Sequence, residues 1–156
     1  MERMNLFAKS GNVLRALNGF HSYLSKSTID SKLQHLIYIR VSQINGCAFC
    51  LDMHTKDLRV MGETEQRMLM LGAWHDAYRL YTPKERAALA WAEAVTLVAK
   101  GPVSDAIYAE TAAHFTEQEM AELTICVIAI NSYNRLNVAF QTPAGDYQPG
   151  QFANAH

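Results

Sequence analysis

The groups able to do chemistry concentrate in Gly46-Cys47-Ala48-Phe49-Cys50-Leu51-Asp52-Met53-His54. This stretch holds two of the chain's three cysteines and one of its six histidines. Read as a helix, it places Cys50 roughly 60° around the axis from Cys47, and His54 roughly 20° from Cys47. The three side chains therefore share one face, and Cys50 and His54 are neighbours one turn apart. Asn45-Gly46 suits a helix break, which sets the cysteine pair at the start of the next helix. Free amides and the macrodipole favour a thiolate there, and a nearby imidazole can take the thiol proton or stabilise the anion. Such a dithiol attacks a peroxide or a disulfide. The attacking thiolate becomes a sulfenic acid, and the second thiol resolves it to a disulfide.

Two other readings of the same residues stay open. Cys47, Cys50 and His54 supply three ligands for zinc, with Cys126 or His35 as a fourth, although three ligands on one helical face fit a tetrahedron awkwardly. Alternatively, the pair is ordinary buried core and His54 a capping residue. Cys126 lies mid-run in an apolar segment and reads as a small buried hydrophobe.

The elements that must position these residues read as helical throughout. Gly11 to Leu24 carries apolar residues at helical spacing. Ser27 or Thr28 is the expected cap of a strongly apolar helix that stops at Asn45-Gly46, and the next helix should run from the cysteines to about Met61. Thr64 opens a segment in which Met68 to Trp74 reads as core or subunit-contact filler, with His75 on the surface. Thr82-Pro83-Lys84-Glu85 and Thr116-Glu117-Gln118-Glu119 read as capping boxes, the first for a helix to Ala99 and the second for a long apolar helix through Val138. Between them Ser104-Asp105 begins a shorter helix to about Phe115. Glu93 sits in an apolar run and needs either a partner or an outward face. The tail after Thr142-Pro143 reads as irregular. No strand pattern or linker interrupts this all-α, single-domain, multi-helix bundle over residues 1–156, with its core at about 4–145.

Composition narrows the function classes. The chain is 49% hydrophobic and 19% charged, with a net charge of -1. That balance argues against nucleic acid or an anionic membrane as the main partner, since both call for a basic face. No apolar run is long enough to span a bilayer. The first residues show neither the apolar region nor the cleavage site of a secretory signal, so a cytoplasmic setting is expected. An odd cysteine count gives no disulfide framework, and in a reducing compartment a close pair is catalytic or metal-binding.

Arg40 to Lys56, with the Cys-x-x-Cys and the histidine four residues on, resembles the core of the alkylhydroperoxidase D-like proteins of the carboxymuconolactone decarboxylase superfamily. Gly62 to Arg67, Glu85 to Trp91 and Ile130 to Asn137 extend the resemblance over nearly the whole chain. It implies an all-helical fold assembled into homo-oligomers, trimers or hexamers, and a cofactor-free, metal-free thiol peroxidase active in antioxidant defence. Its partners would be a hydroperoxide substrate and an external dithiol reductant. By this resemblance Cys50 matches the attacking cysteine, Cys47 the resolving one, and His54 the histidine of the proton relay. The family's relay glutamate, twelve residues before the first cysteine, is His35 here, and the histidine that precedes the second cysteine in its best-studied peroxidases is Phe49. Apolar surroundings would favour an organic peroxide. The other expectations are a redox-sensing oligomer switched by the same disulfide, and a decarboxylase-like enzyme, whose branch lacks the cysteine pair.

Overall fold

A computed structural model describes residues 2–152. The described chain is all-helical: α1 (Leu6–Lys9), α2 (Gly11–Leu24), α3 (Ser31–Asn45), α4 (Ala48–Val60), α5 (Glu65–Met70), α6 (Pro83–Thr96), α7 (Asp105–Ala112) and α8 (Glu117–Phe140). Short 3-10 turns at Leu71–Ala73, Tyr78–Leu80 and Val98–Lys100 join some of them.

The bundle is built around α3, which packs against α4, α6 and α8. Its Leu36, Ile37 and Val41 are fully buried, and each such side chain contributes about 1.5–3 kcal/mol through burial. One face joins a core with Cys47, Cys50, Ala88, Ala92, Leu123, Cys126 and Val127. The opposite face, through Leu36 and Ile39, joins Leu58, Met68, Leu71, Trp74 and Leu89. Ala87, Ala88 and Ala92 of α6 are buried in the first of these two cores. Both capping boxes form as expected, Thr82 with Glu85 and Thr116 with Glu119.

The structure corrects some expectations and completes others. The cap of α3 is Asp30, whose side chain accepts from the Lys32 and Leu33 amides. The Ser27 and Thr28 hydroxyls donate instead to the Glu122 carboxylate on α8, at 2.6 and 2.9 Å. Of the Met68–Trp74 segment, Met68, Leu71 and Trp74 enter the core, but Leu69 and Met70 face outward. His75 lies at the surface but stacks on Trp74 at 3.6 Å. Glu93 is half-buried and accepts from Arg40 at 2.6 Å and Trp74 at 2.8 Å, with His75 at 3.4 Å. The helix expected to reach about Phe115 ends at Ala112, and the one expected to reach Ala99 ends at Thr96. The tail is irregular yet docked: Lys56 donates to the Gly145 and Tyr147 carbonyls, and the Gly145 amide donates to Asp52. No helix among the described residues is long and apolar enough to cross a membrane.

Candidate functional site

The turn between α3 and α4 sets the cysteines. Gly46 takes φ 66°, a left-handed conformation that costs glycine little. The next amide, of Cys47, reaches back to the Ser42 carbonyl at 3.0 Å and closes α3. Cys47 is then extended, with φ -88° and ψ 94°, and serves as the cap of α4 rather than as its first helical residue. Cys50 is the third residue of α4, so the two thiols meet across one opening turn.

Both cysteines are free thiols and almost wholly buried, 1% and 0% exposed. The Cys50 thiol donates to the Cys47 sulfur, and this contact, more than any other, brings the Cys47 thiol down to about 7. Burial opposes that shift, while the Cys50 amide and Asn134 add to it. The same pairing, with burial, pushes the Cys50 thiol up. Of the two thiols, Cys47 is therefore the one that ionises first, with Cys50 as its hydrogen-bond donor. Asn137 Nδ2 also donates to Cys50 Sγ, at 3.6 Å.

Asn137 is the last of three asparagines spaced three residues apart on α8. Asn45 donates to Asn131 and Asn134, and Asn134 donates to Ser42 Oγ, at 2.9–3.0 Å. This polar ladder pins the end of α3 to α8 beside the sulfurs.

His54, one turn beyond Cys50 on α4, points into a different cluster. Its ring lies edge-on to His35, with centroids 5.4 Å apart, and 4.7 Å from the Tyr38 ring. Burial, and secondarily His35, holds the His54 imidazole well below the ordinary range, so it is neutral at pH 7. Its Nδ1 is buried and makes no hydrogen bond. His35 Nδ1 is 2.9 Å from the Ser31 carbonyl. A carbonyl only accepts, so Nδ1 carries the proton and Nε2 of the neutral ring offers a lone pair. That Nε2 lies 4.0 Å from Asp57 Oδ2, and Tyr147 donates to Asp57 Oδ1 at 2.8 Å.

The structure thus brings Cys47 to Cys50, and His35 to His54, but no hydrogen bond among the described residues joins His54 to Cys50. Cys47, Cys50 and His54 do not converge as a ligand set either; the atoms of His35, His54 and Asp57 do. Cys126 is remote from ligand duty: burial pushes its thiol up to about 12, and its neighbour is Tyr38. Sequence reading missed Asp57, Tyr38, Asn134, Asn137 and Tyr147. Two signals were present: Asp57 follows His54 by three residues on one helical face, and asparagines on an apolar helix need buried partners.

The carboxymuconolactone decarboxylase family model matches residues 11–94. The uncharacterized protein YdfG of Bacillus subtilis is 39% identical over 138 residues, which cover 88% of this chain and 93% of that protein. A crystal structure from Agrobacterium tumefaciens, of a protein of unknown function put forward as the antioxidant defence protein AhpD, superposes with a TM-score of 0.89. It shares 35% identity, covering 94% of this chain and all of that one. The debrominase Bmp8 shares the fold at a TM-score of 0.75 and 17% identity, covering 89% of this chain and 74% of that one.

Proposed function

The chain belongs to the carboxymuconolactone decarboxylase family and has the alkylhydroperoxidase D-like fold, and from that premise we propose that it is a thiol-dependent peroxidase working through Cys47 and Cys50. The observation that most supports this reading is the meeting of the two free thiols, the Cys50 thiol against the Cys47 sulfur, across the opening turn of α4. The Cys50 proton can cross that contact to Cys47 as Cys50 attacks.

The Cys50 sulfur bonds to the outer peroxide oxygen, the O–O bond breaks, and the alkoxide takes a proton from solvent to leave as an alcohol. Cys50 is then a sulfenic acid. The Cys47 sulfur attacks it, and hydroxide leaves as water with the proton that Cys47 had received from Cys50. An external dithiol reduces the resulting disulfide by exchange. His54, neutral and one turn away, is the proposed proton carrier, with His35 assisting. The apolar neighbours Phe49 and Met53 of the same core favour an organic hydroperoxide.

Purified protein should consume an organic hydroperoxide in the presence of dithiothreitol, and Cys50→Ser should fall to the rate of buffer. Equal consumption by wild type and Cys50→Ser would overturn the proposal. The burial of both sulfurs favours a second reading, in which the disulfide chiefly changes assembly. In that case turnover is slow, and oxidation changes the scattering mass.

A further inference from the structure

We propose that His35, His54 and Asp57 form a binding site for a divalent transition metal of the zinc class, separate from the two sulfurs. Their ligand atoms all lie within 4.8 Å of one another. His54 and Asp57 are three residues apart on α4 and face the same way, while His35 comes from the packed neighbour α3.

Two of the three contributors, His35 and Asp57, are already held in a ligating pose. The Ser31 carbonyl accepts from His35 Nδ1 at 2.9 Å and leaves Nε2 turned toward Asp57. Tyr147 occupies Asp57 Oδ1 and leaves Oδ2 facing His35. Metal-binding histidines and carboxylates are ordinarily anchored this way at their other atom. His54 is 9% exposed, and its Nδ1 is buried without a partner. An unpartnered buried nitrogen is costly unless something fills the space it faces.

Two imidazoles and one carboxylate suit zinc or its transition-metal neighbours, whereas calcium and magnesium prefer oxygen throughout. Zinc bonds of about 2.0–2.2 Å need ligand atoms about 3.3 Å apart in a tetrahedron. Binding would draw the atoms inward by side-chain rotation, from 4.0 Å between His35 Nε2 and Asp57 Oδ2 and from up to 4.8 Å across the set. Three protein ligands leave a fourth position for water. An ion here would occupy the imidazole that the peroxidase reading assigns to proton transfer. That consequence rests on the peroxidase reading; the binding itself does not.

The test uses the full chain carrying Cys47→Ser and Cys50→Ser, so that neither sulfur can bind and no peroxidase cycle operates. Zn2+ titrated against a chromophoric chelator should bind at one ion per chain. Co2+ in the wild type should give a tetrahedral spectrum without thiolate-to-metal charge transfer. Asp57→Asn and His35→Gln, with helical circular dichroism unchanged, should each weaken Zn2+ binding at least tenfold. Loss of binding in the double serine protein, a thiolate charge-transfer band, or affinity unmoved by both substitutions would each overturn the site.

Discussion

Cys47 ordinarily would titrate near 8.5, yet here its thiol falls to about 7 because the Cys50 thiol donates to it. The direction has a kinetic consequence, since only the thiolate reacts with an alkylating agent. Iodoacetamide labelling of Cys47, followed by peptide mass, should rise with pH through a midpoint near 7. Cys50→Ala removes the main donor and leaves the burial that opposes it. The midpoint should therefore move upward, and an unmoved midpoint would mean that the thiol contact is not what stabilises the anion. Cys126, pushed up to about 12 by burial, provides an internal control that stays unlabelled across the same range. The site's sulfur half was legible at this scale because Cys47, Cys50 and the Gly46 break are local to one turn. The lowered pKa of Cys47 was not, because it depends on hydrogen-bond direction and on Asn134 from another helix. The resemblance speaks to a different moment, the attack by Cys50, and the two fit together if the proton moves between the sulfurs.

At the level of elements, Glu122 explains why α3 begins later than its sequence suggests. The carboxylate accepts from Gln118, Ser27 and Thr28, which together hold it down at about 2 despite burial. Ser27 and Thr28 are good caps by residue type, but α8 recruits them from 95 and 94 residues away, and Asp30 takes the cap. Local pattern carries the capping boxes of α6 and α8, whose partners lie three residues apart, and the Gly46 stop. It does not carry this tie, nor the meeting of His35 with Asp57, since both depend on how one helix packs on another. A carboxyl depressed in the folded protein adds stability above its unfolded value of about 4.3. That stability is lost as pH falls toward about 2. Glu122→Gln should therefore lower stability at neutral pH by about 1.5–3 kcal/mol, the range for hydrogen bonds to a charged group. Its deficit against wild type, read by urea denaturation, should shrink from pH 5 to pH 2, about the span between the two pKa values. A deficit independent of pH would assign the loss to packing rather than to the charge.

The whole molecule presents little charge to keep copies apart, a net -1 on 156 residues. It also exposes large apolar side chains that its own core does not use. Val60 is 73% exposed and Leu69 is 78% exposed, and the same stretch of chain shows Met70 and Tyr78 to solvent. Single exposed aliphatics are ordinary on a monomer, but covering one such leucine in a subunit contact is worth about 1.5–3 kcal/mol. Several together can hold a symmetric assembly. The family resemblance implies a trimer or hexamer, and these side chains are available to build one. Light scattering of the reduced protein is expected to give three or six times the 17.5 kDa chain mass. The mass should fall with dilution in Leu69→Glu if Leu69 lies in the contact, because a charge there must be desolvated on association. A wild-type mass of 17.5 kDa at micromolar concentration would overturn the expectation of an oligomer. The dithiol and the histidine cluster would then have to act within one chain, which their construction from α3, α4 and α8 of a single copy allows.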